Sequence, residues 1–189
     1  RSVDSGTIER FGSIDPTEGG NTGRYNANIL FTTQFKSGST WQNQAFFSRY
    51  KFNLYSNFTF FLNNPVDGDA INQAESRNIA GFNSTFKKKR FFGKVVLNST
   101  DGIGMRYDAT NDSKLASVIK RQFVDYIKLG NIKEANLFAF TDQQVSVGKW
   151  LISAGLRLAY FHFNYLDRLT TNQNPSQNKT TLSPKLNIQ

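Results

Sequence analysis

The side chains most often used for catalysis are nearly missing from this sequence. Cysteine is absent from the 189 residues and His162 is the one histidine, which excludes thiol nucleophiles, disulfides and the Cys/His sets that hold zinc. His162 has no base, acid or ligand near it in sequence, and an amphipathic ring of this kind suits a membrane interface better than proton transfer. Lys87-Lys88-Lys89-Arg90 has the charge density of a phosphate-binding patch, but it lies between two alternating segments and reads as a solvated turn. Gly102-Ile103-Gly104 has no helical pattern after it, so it reads as glycines in a bending strand rather than a dinucleotide loop. Asp67-Gly68-Asp69, with Asn63 and Asn64, offers oxygens to Ca²⁺ without the spacing of a calcium loop, and a turn is the simpler reading. Sequons such as Asn83-Ser84-Thr85 fall inside strand patterns and are discounted. No cofactor, no metal and no enzymatic activity are expected.

The elements that would carry such residues are strands. Eighteen Phe, seven Tyr and two Trp occur in a chain whose mean hydropathy is −0.48, so aromatic residues alternate with Asn, Gln, Ser and Thr. Alternation of this sort gives strands with one greasy and one polar face. A net charge of +9 would suit nucleic acid or anionic lipid. Because the aromatics gather on the apolar face with few charges among them, lipid contact is favoured over base stacking and no nucleic-acid partner is expected. Arg1 begins no secretory pattern, and no run of about 18 apolar residues occurs, which excludes a transmembrane helix but not a barrel of strands.

Period-2 patterning predicts seven strands. The first runs from about Gly23 to Lys36, with Tyr25, Ala27, Ile29, Phe31 and Phe35 on one side and Arg24, Asn26, Asn28 and Thr32 on the other. The second is expected from Thr40 to about Asn63, with Phe52, Leu54, Phe58, Phe60 and Leu62 set against Lys51, Asn53, Asn57 and Thr59. Three more follow at about Arg77 to Phe86, Phe91 to Tyr107 and Lys128 to Val147. The last two are Trp150 to Tyr165 and a strand from Thr180. Short turns near residues 37, 88 and 148 alternate with long polar connections near 64, 110 and 170, and the connection 108–127 reads equally as a hairpin extension or as one or two helical turns. Strands well beyond the usual five or six residues, with that asymmetry of connections, point to an antiparallel transmembrane β-barrel rather than a sandwich.

Several motifs resemble the barrel of TonB-dependent outer-membrane receptors of the Bacteroidetes type. They are Leu54-Tyr55-Ser56-Asn57-Phe58-Thr59-Phe60-Phe61-Leu62, then Asn64-Pro65-Val66-Asp67-Gly68-Asp69, with Arg77 and Gly81 beyond. Gly12 to Thr22 with Arg24-Tyr25 is similar to a strand entry in these receptors, Ala154-Gly155-Leu156-Arg157 to their Gly-Leu-Arg strand, and Leu182-Ser183-Pro184-Lys185 to their Ser-Pro-Lys entry. In the Gly-Leu-Arg strand the acidic residue that often stands two positions after the arginine is here Ala159.

The resemblance implies one segment, residues 1–189, of a larger barrel in the outer membrane of a Gram-negative bacterium, without the plug domain such receptors carry. It also implies active import of a scarce nutrient, such as a ferric siderophore or similar chelate, with the TonB complex and outer-membrane lipid as partners. Arg24, Asn57, Thr59, Arg77 and Arg106 are the candidate ligand-binding residues, at the lumen or outer rim. A passive porin or adhesin barrel, or a soluble β-sandwich that binds carbohydrate, is the alternative.

Overall fold

The computed structural model describes residues 6, 9–12, 15–59, 62–170 and 174–189. Phe60 and Phe61 of the second expected strand, Ser13 and Ile14 of the strand-entry motif, Arg1, and 171–173 of the last polar connection lie outside them.

Seven strands form one antiparallel sheet in chain order: β1 (Gly19–Gln34), β2 (Thr40–Ser56), β3 (Ile71–Phe92), β4 (Val95–Ile119), β5 (Gln122–Val147), β6 (Trp150–Asp167) and β7 (Ser176–Ile188). Each strand pairs only with its sequence neighbours, so the sheet is a simple meander whose outer edges are β1 and β7. This bears out the all-β reading, with several boundaries moved. β2 ends at Ser56 instead of running to Asn63, because the Asp69 carboxylate holds residues 63 and 64 in a loop. Lys87 to Arg90 is strand, not turn: Lys88 pairs with Ser99 and Arg90 with Leu97. The turn falls instead at Gly93-Lys94, where Gly93 has φ 59. The connection 108–127 is a hairpin extension closed by Lys120 and Arg121 at φ 49 and 68, the left-handed pair that a tight two-residue turn requires.

Residues directly opposite one another in adjacent strands share a face, so the register sorts every side chain. Ile29 pairs with Ala45, then Phe82, Met105, Leu137 and Tyr160 in turn. One row farther, Phe31 leads through Asn43, Ser84, Ile103, Ala139 and Leu158 to Leu182. This face is apolar and open: Ile29 is 72% exposed, Ile103 60% and Leu182 62%. Asp101 interrupts it, and its carboxylate accepts hydrogen bonds from Thr141 Oγ1 at 2.6 Å and Gln143 Nε2 at 3.3 Å. The other face carries Arg24, Asn26 and Asn28 on β1 and their partners Tyr50, Ser48 and Phe46 on β2.

The apolar span does not run straight across the sheet. On β1 it covers Tyr25 to Phe31; on β7 it begins at Leu182, the residue in register with Phe31, and continues to Ile188. A slip of about one residue per strand, at a rise of about 3.3 Å and a strand spacing of about 4.8 Å, corresponds to a tilt of roughly 35°, within the range for transmembrane barrels. Among the described residues the only buried apolar side chains are Ala116, Val118 and Ala159, and no large side chain is fully enclosed. One layer without an apolar core removes the sandwich reading, which needs the aromatics packed between two sheets.

β2 also corrects one assignment of faces. Trp41, Ala45 and Phe47 lie on the apolar face, while Phe52 and Leu54 lie with Tyr50 on the opposite one, leaving Arg49, Lys51 and Asn53 on the apolar side. The alternation keeps its phase, but beyond the apolar span Arg49, Lys51 and Asn53 replace apolar residues on that face, so greasy and polar positions exchange faces.

Candidate functional site

The polar face at the loop end of the sheet brings three of the expected residues together. Arg24, Tyr50, Arg77 and Thr110 form one register row across β1 to β4. The Arg24 guanidinium lies 4.9 Å from the Tyr50 ring centroid, and Tyr50 stacks with Phe52 at 6.5 Å. Arg77 Nε donates to Thr110 Oγ1 at 3.1 Å and sits 3.7 Å from both Glu75 and Asp108. Arg106 Nη2 donates to the same Asp108 carboxylate at 3.1 Å. One acid therefore serves two arginines. Arg106 remains about half exposed, so part of its fork of donors faces open space, where it can pair with a planar anion.

The other two expected residues do structural work where they stand. Asn57 is 4% exposed; its backbone N–H donates to Glu18 Oε1 and its Nδ2 to Asp15 Oδ2. Thr59 Oγ1 donates to Asp69 Oδ2 at 2.8 Å. Asp69 also accepts from the backbone N–H groups of Asn63 and Asn64, and these bonds, Asn63's foremost, hold its carboxyl below the usual carboxylate range. The Thr17 hydroxyl, then Asn57, does the same for Asp15.

Aromatic rings lining the polar face were not anticipated. Phe46, Phe138 and Phe140 stand opposite Gly81, Gly104 and Gly102. A Cβ at Gly104 would lie 2.4 Å from the Phe138 ring, and one at Gly102 2.4 Å from Phe140, so glycine lets each ring lie over its neighbour's backbone. Arg157 stacks on Phe138 with 4.0 Å to the centroid. The register partner of Phe138 on β6 is Ala159, a small residue that leaves the ring room, and the π face becomes the partner of the arginine. The sequence signal was the Gly-x-Gly spacing opposite a Phe-x-Phe, visible only once the register is known.

His162 falls on the apolar face, where its Nδ1 meets Asn178 Oδ1 at 2.6 Å, a place consistent with an interface role.

The family described as "TonB dependent receptor-like, beta-barrel" matches residues 2–189. The chain belongs to this family. Its barrels lie in the outer membrane of Gram-negative bacteria and serve receptors and transporters rather than enzymes. Among solved structures the TonB-dependent barrel is similar to the closed form of the ferric-catecholate import receptor Fiu from E. coli K12, with TM-score 0.65, 12% identity and 95% of this chain covered. The match spans 32% of that chain, and at such identity it speaks for the fold alone. No curated protein matches.

Proposed function

We propose that this barrel segment belongs to an outer-membrane receptor that binds a scarce nutrient, a ferric siderophore or similar anionic chelate, and imports it with energy relayed by the TonB complex. The observation that carries the reading is the row of Arg24, Tyr50 and Arg77, with Arg106 beside it, on the face opposite the hydrocarbon-facing span. Guanidinium forks offer paired donors to carboxylate or catecholate oxygens, and the rings of Tyr50 and Phe52 offer an apolar platform for a chelate's flat faces. Family membership supports an outer-membrane receptor, and the likeness to Fiu supports the barrel fold that would carry the site. Asn57 and Thr59 enter as residues that shape the adjoining loop.

In equilibrium binding of anionic ferric chelates to the intact receptor, Arg77→Ala with Arg106→Ala is expected to weaken affinity about tenfold, at about 1.4 kcal/mol per factor of ten. Affinity unchanged by that pair would refute the arginine site. A passive porin shares the strand physics and is separated by conductance: a plugged receptor is nearly closed in a planar bilayer, a porin open.

A further inference from the structure

On the apolar face of β4, Asp101 and Ser99 stand between two apolar rows: Ile103, Ala139 and Leu158 on the loop side, and Leu97, Val145 and Ile152 on the turn side. Their register partners Thr141 and Gln143 complete a polar island. Every donor of the island is used within it. Ser99 Oγ donates to Gln143 Oε1 at 2.6 Å, Gln143 Nε2 to Thr141 Oγ1 at 2.8 Å and to Asp101 Oδ1 at 3.3 Å, and Thr141 Oγ1 to Asp101 Oδ1 at 2.6 Å. All that Asp101 accepts therefore falls on Oδ1. Among the described residues no donor meets Oδ2, and no ion pair joins Asp101 or Lys88. A carboxylate turned toward hydrocarbon is costly until a donor pairs with it.

Lys88 faces the same side, one strand over on β3 and two residues nearer the turns, opposite Ser99. With strands tilted roughly 35°, these two offsets cancel sideways, so Lys88 lies about 8 Å from Asp101 along the membrane normal, on the turn side. Ala139, one strand over on β5 and two residues nearer the loops, continues the same line.

Resting on the outer-membrane reading, we propose that this line is the two-fold axis of a receptor dimer, on which Asp101 of each copy pairs with Lys88 of the other. Copies inserted the same way in one membrane are related by rotation about its normal, so groups on the axis meet their counterparts reciprocally. Both charges stand on that line within reach of lysine's flexible stem, and the two reciprocal pairs satisfy both carboxylates and both ammonium groups. Ala139 is small enough for the two walls to approach. The contact also fits in shape. A depression of about 380 Å³ beside Asp101 is lined by Ser84, Phe86 and Ile103, and the same tilt carries Leu156 of the second copy, 44% exposed, across the axis to Ser84.

The test is cross-linking in intact outer membranes, using full-length receptor that carries no other thiol. With a short bis-maleimide, Ala139→Cys is expected to give a band of twice the mass, and Phe47→Cys, well off the line, none. On the Ala139→Cys background, Asp101→Lys alone and Lys88→Asp alone should each cut that band about tenfold, because like charges then meet on the axis. Co-expressed under different tags, the two kinds should cross-link to each other as well as wild type does, since each supplies the charge the other lacks. Pairing within one copy cannot produce that rescue. Should a reversed charge abolish the heat-modifiable gel mobility of the folded barrel, Ala139→Trp, which adds apolar bulk on the axis, should lower co-purification of two tagged copies about tenfold. Ala139→Cys that cross-links no better than Phe47→Cys, or mixed kinds that stay apart, would overturn the dimer and leave lipid or a different protein against Asp101. Outer-membrane fractionation of the same cells separates the two failures: a receptor found there as single copies sinks the dimer alone, and one absent from it sinks the underlying reading.

Discussion

At Gly104 the wall of the sheet depends on a missing Cβ. Phe138 Cζ and Asn83 Oδ1 occupy the space at 2.4 and 2.5 Å, so any larger residue must push a ring that also carries Arg157. Gly104→Val is expected to destabilise the folded barrel by about 1–3 kcal/mol, the usual cost of overpacking, seen as a lower urea midpoint. Asp69 makes a prediction in pH. Its folded carboxyl is held below the ordinary range by backbone donors from Asn63 and Asn64 and the Thr59 hydroxyl. A depressed carboxylate stabilises the loop above its unfolded value, near 3.9, and loses that contribution as pH falls through the lower folded value. Protection factors in residues 62–70, which remove the intrinsic pH dependence of amide exchange, should therefore hold at about pH 5 and fall only below about pH 4, whereas Asp69→Asn should lower them at neutral pH.

Among the elements, the β4–β5 hairpin has the farthest reach. Arg121, at its tip, donates from Nε to Thr17 O at 2.7 Å and from Nη2 to Glu18 O at 2.9 Å, and lies 5.2 Å from the Tyr55 ring centroid. A single side chain thus ties the longest hairpin to the segment before β1. Arg121→Ala should free the tip, and limited trypsin cleavage after Lys120 should become about tenfold faster, equal to about 1.4 kcal/mol of local opening and in keeping with hydrogen bonds from a charged donor. Cleavage at the wild-type rate would show that the turn holds itself. This element also marks the limit of reading from sequence. Strand phase was legible at Tyr25 to Phe31 because hydrocarbon and lumen demand opposite residues there. It was not legible at 108–127, where bulges at Thr110/Ser113, Leu115/Ala116 and Ser117/Val118 break the period. Nor did Lys120-Arg121 announce a turn, since neither is glycine although both adopt left-handed backbone. Arg24, Arg77 and Arg106 could be assigned to one face by parity alone, but the carboxylates around them depend on register, which only pairing supplies.

For the whole molecule, stability cannot come from an interior, because three small side chains are all that is buried of the apolar residues described. Backbone pairing along seven strands supplies the order, and the exposed band from Tyr25 to Ile188 requires a solvent other than water to cover it. That is the central claim: one face of every strand meets lipid and the other an aqueous lumen. Because this segment contains no cysteine, a single cysteine placed in it is the one thiol of the segment. In the full-length receptor in intact outer membranes, Ile29→Cys, Phe47→Cys, Met105→Cys and Leu158→Cys would be compared with Asn28→Cys, Gln44→Cys and Asn83→Cys, using a charged maleimide. Labelling of the second set and protection of the first are expected, and equal labelling of both sets, or the reverse pattern, would contradict this division of faces.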